Sequence, residues 1–557
     1  MGGIWDFVFL GQVDLDQISL LTVEYTERVL VPSSFDAMPT HAGKRGAALY
    51  RTILRIPVGH EALIEFGAVS IWSRIYVDGR ILEENGCGYA PFQVRVPAAE
   101  FEQRELTVLV DNRFDFDRVP MHEEYFDFYQ YGGILREVFL RILPEKEPWI
   151  EYVRVTPTKG YREGDIEVTV KLRGEKEARV ALGFQFDEGD QQVVEVSGLE
   201  NVFKLKVPNP RIWSTSSPQM HRLSVAVQGD DGGDGDRSVV RFGLRVVEAR
   251  AGALWLNEEK VVLRGYNRHE WHPNYGPCTP KLQMAADLEW LKALGCNFVR
   301  GSHYPQDQRF LDLCDEFGFL VWEENLGWGQ KGKTFASEKF CRDHQKSLEA
   351  MVATSYNHPS IIIWGFLNES ASDTEHPRAV FEKTVATLRQ MDPSRLVSYA
   401  TNVPTGDKFL HLADVISLNL YPGWYECEGV EDPIGLIGPY LRRTLESLDE
   451  RGFGDKPVIL SEIGAEGLYG WHEAHNDFFS EEYQAKYLRT ACEAVLNNPR
   501  WSGIALWHFS DVRTYGGGWS LRRPRTFNNK GTLDEYRRPK AAFAVVRDVF
   551  QRHGSGG

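Results

Sequence analysis

The pattern of apolar and polar residues changes along this chain, near residue 248. Up to about residue 248, short segments alternate the two kinds of residue, as in E-L-T-V-L-V-D-N and D-I-E-V-T-V-K-L. This alternation predicts strands with one buried face. Asp78-Gly79 predicts a tight hairpin turn, and the glycine- and aspartate-rich stretch 229–237 predicts another hairpin tip. We therefore predict a β jelly-roll sandwich over residues 1–143 and an immunoglobulin-like β-sandwich over residues 144–248.

After residue 248, nearly continuous apolar runs alternate with segments of helical spacing, such as Leu441, Leu445 and Leu448. Runs of this kind are typical of strands buried on both faces. The eight runs are Val262–Arg268, Phe298–His303, Leu320–Glu324, Ile361–Asn368, Arg395–Asn402, Val415–Tyr421, Pro457–Ile463 and Gly503–Phe509. Eight βα repeats predict a C-terminal (β/α)8 TIM barrel over residues 249–557.

Two glutamates end buried strands of the predicted barrel. Glu369 closes I-I-I-W-G-F-L-N-E and Glu462 closes P-V-I-L-S-E, 93 positions further on. A carboxyl at the end of a buried strand is costly unless it faces a polar site. Because the chemistry of a TIM barrel lies at the C-terminal ends of its strands, we expect the two carboxyls to share one site.

Paired carboxylates at a barrel mouth suit glycoside hydrolysis. One carboxyl protonates the departing oxygen, and the other attacks the anomeric carbon or activates water. A separation of about 5–5.5 Å gives retention and one of roughly 6.5–9.5 Å gives inversion. The residues alone leave both outcomes open, and two structural carboxylates in ion pairs are the plainer alternative.

Several motifs together resemble those of the retaining glycoside hydrolases of family 2. The motifs are D-F-Y-Q-Y-G-G-I-L-R at 127–136, G-Y-N-R-H-E at 265–270, R-G-S-H-Y-P at 300–305, W-G-F-L-N-E-S at 364–370, L-N-L-Y-P-G-W-Y at 418–425 and I-L-S-E-I-G at 459–464. The resemblance covers nearly the whole chain. It implies that Glu369 is the acid/base and that Glu462 is the nucleophile.

The same resemblance implies roles for other residues. Asn368 is expected to bind the sugar 2-hydroxyl, and Tyr421 to lie close to the nucleophile. The remaining expected contacts are Asp127 and His269 to the distal hydroxyls, Asn419 to the substrate and Trp507 as an apolar wall.

Asn528-Asn529-Lys530, after strand eight, resembles the Asn-x-Lys motif with which β-glucuronidases of that family bind the sugar carboxylate. Tyr425 matches a tyrosine near that carboxylate, and we call Asn528, Lys530 and Tyr425 the clamp. A lysine charge and an oriented amide are suitable partners for a carboxylate, since a charge-assisted hydrogen bond contributes about 1.5–3 kcal/mol. The resemblance also implies an accessory arginine just before Asn-x-Lys; Arg522, Arg523 and Arg525 compete for that role, the sequence does not decide among them, and Arg525 is taken as the candidate substrate contact.

The favoured function is thus a β-glucuronidase. A β-galacturonidase is the first alternative, because the two uronic acids differ only at C4. A β-galactosidase would leave the clamp without a purpose. A non-catalytic carbohydrate-binding module would need neither glutamate.

The amino-acid composition limits the kinds of molecule that we expect this protein to bind. The net charge of −16 disfavours nucleic acid and anionic membranes. Seven scattered cysteines without metal-ligand spacing predict a reduced, cytoplasmic protein with no metal or cofactor. No signal peptide or membrane span is expected. The resemblance implies a homo-oligomer, a dimer or tetramer. Some relatives carry a long loop after strand three, so the short segment here implies a leaving-group side that is open or covered by another segment.

Overall fold

The chain begins with an antiparallel jelly-roll sandwich. The structure, a computed structural model, describes residues 1–122, 126–144, 148–174, 179–228, 234–425, 427–517 and 522–554. The first strands are β1 (Gly3–Gly11), β2 (Glu27–Val31), β3 (Ser33–Ser34), β4 (Ala47–Arg55), β5 (Ala62–Phe66), β6 (Val69–Ser70), β7 (Trp72–Val77), β8 (Arg80–Asn85), β9 (Phe92–Val96), β10 (Gln103–Asp111), β11 (Gly133–Ile134) and β12 (Val138–Ile142).

The jelly-roll core lies between a large sheet, ordered β2-β1-β4-β10-β7-β8, and a smaller one, ordered β12-β5-β9. Apolar side chains from both sheets, such as Tyr50 and Ile64, are fully buried there. The predicted hairpin turn is confirmed: Asp78 and Gly79 join β7 to β8 with φ of 51° and 74°. Two successive residues with positive φ match the right-handed twist of the strands that they connect.

A second sandwich of immunoglobulin type follows. Its strands are β13 (Trp149–Pro157), β14 (Asp165–Arg173), β15 (Arg179–Phe186), β16 (Gln191–Ser197), β17 (Glu200–Lys206), β18 (His221–Gln228) and β19 (Asp234–Phe242). Two sheets, ordered β13-β14-β17 and β16-β15-β18-β19, enclose its apolar core. Residues 229–233 of the predicted hairpin tip lie outside the described residues.

The C-terminal part is a closed parallel barrel. A small sheet, β20 (Val247–Arg250), β21 (Ala253–Leu256) and β22 (Glu259–Val261), precedes it. The barrel strands are β23 (Leu263–Arg268), β24 (Phe298–Gly301), β25 (Leu320–Glu324), β26 (Ile361–Asn368), β27 (Leu396–Thr401), β28 (Ile416–Asn419), β29 (Val458–Glu462) and β30 (Trp501–Leu506), with a hairpin of β31 (Val512–Arg513) and β32 (Phe527–Asn528) after them. The helices are α1 (Lys281–Leu294), α2 (Gln308–Phe317), α3 (Gly332–Phe335), α4 (Glu338–Ser355), α5 (Arg378–Met391), α6 (Ile437–Glu450), α7 (Glu481–Leu496) and α8 (Ala541–Gly554).

The predicted fold class is confirmed, with one correction inside the barrel. All eight predicted strands occur, but residues 402–415, between β27 and β28, contain no helix. The expected βα repeat is therefore interrupted after the fifth strand. The exact domain limits stay a prediction. Among the described residues, no helix is both long enough and apolar enough to cross a membrane.

A segment of the jelly roll reaches the mouth of the barrel. The backbone N–H of Tyr129 donates to the carbonyl of Arg513, at 2.7 Å. Arg136, fully buried, donates to Glu270 after the first barrel strand, at 2.8 Å. These contacts hold Asp127 over the C-terminal ends of the strands.

Candidate active site

Glu369 follows β26 at a break in the regular backbone. All residues of β26 are buried, and its pairing with β27 shifts register between Gly365 and Asn368. Leu367 and Glu369 adopt positive φ, 53° and 47°, a conformation that costs free energy for residues with a side chain. Irregular pairing of this kind redirects side chains, and here Glu369 lines a cavity at the barrel mouth.

Glu462, at the end of β29, lines the same cavity. Arg300 Nη1 donates to its Oε1 at 2.7 Å, and the Tyr421 hydroxyl donates to its Oε2 at 2.8 Å. Both carboxyl oxygens are thus held by donors on neighbouring strands. The arrangement fixes the orientation of the carboxyl and favours its ionised form.

Two asparagines connect the glutamates. Asn419 Nδ2 donates to Glu369 Oε1 at 2.8 Å and to Asn368 Oδ1 at 2.9 Å. Asn368 Oδ1 also accepts from Arg300 Nη2, at 2.9 Å. Because Arg300 binds Glu462 as well, one hydrogen-bonded chain runs from the first carboxyl to the second. As predicted, the carboxyls that end the fourth and seventh barrel strands share one cavity, of about 480 Å³.

The surroundings separate the acidities of the two carboxyls. Burial, and then the charge of Glu462, raises the pKa of Glu369 to about 8. Burial also raises the pKa of Glu462, to about 7, where Arg300 and Tyr421 oppose the rise. As the pH rises, Glu462 loses its proton first. An ionised Glu462 beside a protonated Glu369 is the pairing that a nucleophile and a general acid require.

Trp507, beyond β30, forms one wall of the cavity. His303 stacks on its ring with centroids 5.1 Å apart, and His269 meets it edge-on at 5.4 Å. Burial lowers the pKa of His269 well below its usual value, so this ring is neutral. His269 supports Trp507 from the side and is not among the described residues that line the cavity.

The predicted clamp is assembled in the structure. Lys530 Nζ donates to the Tyr425 hydroxyl at 2.9 Å, and Tyr425 lines the cavity. Asn528 Nδ2 donates to Asp127 Oδ2 at 3.1 Å. This joins Asp127, from the jelly roll, to the loop after the eighth strand.

Arg523 adds a second cation beside the clamp. Its Nε and Nη2 bind the two oxygens of Asp127 at 3.0 and 2.5 Å, and its Nη1 pairs with Glu466. Lys530 Nζ also lies 3.7 Å from Glu466. Burial raises the pKa of Glu466, but Lys530 and Arg523 lower it overall. Two cations thus face two carboxylates at this end of the cavity.

The structure does not bring Arg525 to the cavity, contrary to its assigned substrate contact. Arg525 Nη1 donates to Glu535 at 2.9 Å, and its guanidinium packs on the ring of Phe527 at 4.9 Å. Arg525 itself has a φ of 61°, and this turn directs its side chain outward. Arg523, two residues earlier, occupies the inner position.

Five functional candidates were not assigned a role from the sequence: Arg300, Asn402, Tyr440, Glu466 and Arg523. Arg300 lies in R-G-S-H-Y-P at the end of a predicted barrel strand. That position could have identified it as a site residue from the sequence. Asn402 likewise follows the fifth strand directly. Tyr440 belongs to helix α6, and only the folded chain places it at the cavity.

A cluster of potential metal ligands lies on helix α2 and the chain before β26. Ligand atoms of Asp312, Asp315 and His358 lie within 4.8 Å of one another. Both ring nitrogens of His358 already have partners, Asp315 at 2.6 Å and Gln308 at 3.1 Å. Despite burial, which lowers it, the charge of Asp315 raises the pKa of His358. The cluster is best described as a hydrogen-bonded ion pair.

The strand ends of this (β/α)8 barrel place two buried carboxyls of unequal acidity in one cavity. This arrangement is typical of a glycoside hydrolase. Residues 247–553 match the family model "Glycosyl hydrolases family 2, TIM barrel domain", and residues 149–245 match the model "Glycosyl hydrolases family 2". The chain belongs to the glycosyl hydrolases of family 2, and the predicted resemblance is confirmed.

Relatives with known names are similar over most of their length. The β-glucuronidase of Streptococcus agalactiae is 26% identical over 596 residues, covering 99% of this chain and 95% of the relative. The β-glucuronidase of Homo sapiens is 26% identical over 522 residues, covering 88% and 78%. A solved family 2 β-galacturonidase from Eisenbergiella tayi, bound to galacturonate, is 32% identical with a TM-score of 0.88, covering 99% and 96%.

Proposed function

We propose that this protein is an exo-acting β-glucuronidase that hydrolyses β-D-glucuronides with retention, by double displacement through a covalent glycosyl-enzyme intermediate. The observation that carries the proposal is the clamp, because Tyr425 lines the same cavity as Glu369 and Glu462 and its hydroxyl accepts a hydrogen bond from Lys530. A cation and an oriented donor beside paired glutamates suit a sugar that carries a carboxylate.

In the first step, the Glu462 carboxylate attacks the anomeric carbon while Glu369 gives its proton to the glycosidic oxygen. The glycosidic C–O bond breaks, and the leaving group departs with that proton. In the second step, ionised Glu369 takes a proton from water, whose oxygen attacks the anomeric carbon and frees Glu462. Asn368 Nδ2, without a hydrogen-bond partner among the described residues, is available to bind the 2-hydroxyl.

The other residues position the sugar. Lys530, with Asn528, binds the C6 carboxylate, and Trp507 packs on the ring. Asp127 accepts from a distal hydroxyl, held for that purpose by Arg523. His269 acts indirectly by supporting Trp507.

The experiment compares kcat/KM on 4-nitrophenyl β-glucuronide, β-galacturonide and β-galactoside. Lys530→Ala should lower kcat/KM on the preferred uronide by about 10- to 100-fold, which corresponds to roughly 1.4–2.7 kcal/mol. Arg525→Ala, in the same loop but outside the cavity, is the matched control and should stay within about twofold. Equal losses on the uronide and the neutral galactoside would exclude the clamp.

Azide distinguishes the two glutamates. With an activated substrate, Glu369→Ala should be rescued by azide and give the β-glycosyl azide, because the covalent intermediate still forms. Glu462→Ala should give the α-azide, because azide then replaces the nucleophile on the opposite face. The same anomer from both variants would exclude double displacement.

A β-galacturonidase is the second candidate. The specific observation in its favour is the 32% identity to the Eisenbergiella tayi β-galacturonidase over 99% of this chain, against 26% for the two β-glucuronidases above. The clamp would bind either uronate, and the side-by-side assay decides between the C4 epimers.

Homo-oligomerisation and a cytoplasmic location also stay predictions, as do the domain limits 1–143, 144–248 and 249–557. Light scattering on the purified protein tests the first. A single subunit mass of 63.5 kDa would refute it.

A further inference from the structure

Glu324, the last residue of β25, is a buried carboxyl that has no role in the proposed mechanism. Its side chain is fully buried, and it is not among the described residues that line the cavity. Successive side chains of a strand point to opposite faces. Glu324 therefore shares the face of β25 on which Trp322 packs in the barrel interior. Its neighbour Glu323, on the opposite face, accepts from the backbone N–H of Gln306 at 2.9 Å.

Arg300 connects Glu324 to Glu462. Its Nε donates to Glu324 Oε2 at 2.9 Å, and its Nη1 donates to Glu462 Oε1 at 2.7 Å. The guanidinium carbon also lies 4.7 Å from the centre of the Trp322 ring. Because a guanidinium is a planar fork of fixed geometry, holding its Nε edge fixes the direction in which Nη1 points. The contact with Glu324 therefore aims Arg300 at Glu462.

A neutral histidine holds Glu324 in turn. His303 Nδ1 lies 2.8 Å from Glu324 Oε1. Burial and the charge of Arg300 lower the pKa of His303 well below its usual value, so the ring is neutral and its Nδ1–H can donate to the carboxylate. The other ring nitrogen, Nε2, lies 3.9 Å from Glu462 Oε1. His303 thus adds no positive charge to either carboxyl, and Arg300 is the cation that both of them share.

One positive charge therefore lies between two carboxyls. Burial raises the pKa of Glu324, and Arg300 opposes the rise. Burial also raises the pKa of Glu462 to about 7, where Arg300 and Tyr421 oppose the rise and Glu324 adds to it. The remaining carboxyl that faces Glu462 is Glu369, across the cavity. A guanidinium shared by two carboxylates stabilises each of them less than it would stabilise one alone, so Glu462 keeps more of its basicity.

We propose that Glu324 is a positioning residue for the hydrolysis: it fixes the Arg300 guanidinium against Glu462 and shares its positive charge, so that the nucleophile is oriented without being neutralised. This inference rests on the proposed function, in which Glu462 is the nucleophile. Glu324 acts through Arg300 and does not touch the sugar, so its loss should affect kcat more than KM.

The first test measures the pH dependence of kcat/KM on the preferred nitrophenyl uronide. Glu324→Gln keeps an acceptor for Arg300 Nε but removes the negative charge. The pKa of Glu462 should then fall, because a negative neighbour raises the pKa of a carboxyl, and the acidic limb should move to lower pH by about 0.5 unit or more. Glu323→Gln is the matched control, since it removes an equally buried carboxyl from the opposite face of β25 and should leave the acidic limb in place.

The second test removes the acceptor as well as the charge. In Glu324→Ala, nothing replaces the contact that fixes the Nε edge of Arg300, so kcat should fall at least about tenfold below that of Glu324→Gln, while KM changes less than about threefold. Equal kcat values in the two variants would contradict the positioning of Arg300 by Glu324. Thermal unfolding checks that each variant folds, and Glu324→Gln, which preserves the side-chain volume, keeps the charge-sharing testable if Glu324→Ala does not fold.

The outcomes separate this role from the function on which it rests. A wild-type protein that cleaves neither nitrophenyl uronide contradicts the proposed function. An active wild-type protein whose acidic limb stays in place in Glu324→Gln, or moves to higher pH, contradicts the role of Glu324 alone.

Discussion

Replacing Tyr421 by phenylalanine removes one of the two donors that stabilise the Glu462 carboxylate. Its hydroxyl lies 2.8 Å from Oε2, and a hydrogen bond to a charged group contributes about 1.5–3 kcal/mol. Because one pKa unit corresponds to about 1.36 kcal/mol, the pKa of Glu462 should rise by about 1–2 units from its value of about 7. The sign is upward because the lost bond favours the ionised form.

The pH dependence of kcat/KM measures this shift, since it reports the pKa values of the free enzyme. In the proposed mechanism, turnover requires ionised Glu462 and protonated Glu369, so the acidic limb should move to higher pH in Tyr421→Phe. The pH range of activity should narrow, and its maximum should fall. Tyr399→Phe is the matched control, since Tyr399 is also buried and donates to a carboxylate, Asp407 at 2.6 Å, away from the cavity. An acidic limb that stays in place or moves down in Tyr421→Phe would refute the reasoning.

Two further predictions concern the buried charges. Arg523→Met removes the cation that pairs with partly buried Asp127 and with buried Glu466, which keeps only the more distant Lys530, at 3.7 Å. The substitution should lower the free energy of unfolding by as much as about 3–5 kcal/mol, whereas Arg525→Met breaks a half-exposed pair worth about 0–1 kcal/mol. Thermal unfolding of the two variants at one pH compares them, and equal melting temperatures would contradict the assignment of Arg523 to the interior. Glu462→Gln removes the negative charge that contributes to the raised pKa of Glu369. The pKa of Glu369 should therefore fall, yet stay above 4.5, because burial, the largest cause of the rise, remains. Infrared titration of the carboxyl band measures this pKa, and an increase would contradict the electrostatic coupling of the two glutamates.

The barrel was predictable because its strands are buried on both faces. Ile361–Asn368 is buried at every position, and its sequence is accordingly almost entirely apolar, unlike the alternating pattern of a strand with one exposed face. The missing helix between β27 and β28 was harder to predict. Residues 404–407, P-T-G-D, are a turn signal that disfavours a helix there, but the βα repeat on both sides of the segment favours one.

The candidate site was predictable where a residue ends a strand. Glu369, Asn419 and Glu462 follow directly from strand positions, since the barrel brings strand ends together. The positions of Arg523 and Arg525 depend instead on the local turn, in which Arg525 and Thr526 both adopt positive φ, 61° and 55°. A positive φ at a residue other than glycine or asparagine has little sequence signature, so the neighbouring arginines were equivalent until the loop was folded.

The pairing of Arg523 and Lys530 with Asp127 and Glu466 bears on which solutes this cavity can hold. Positive charge there is already balanced by internal partners, so the empty pocket offers no strong attraction to chloride, phosphate or sulfate. In the proposed function, a uronate binds by matching the arrangement of donors while its ring hydroxyls engage Asp127. Affinity for the sugar should consequently vary little with ionic strength, because close, partly buried contacts are screened far less than distant ones. If donor arrangement rather than net positive charge selects the ligand, inorganic anions should be weak inhibitors.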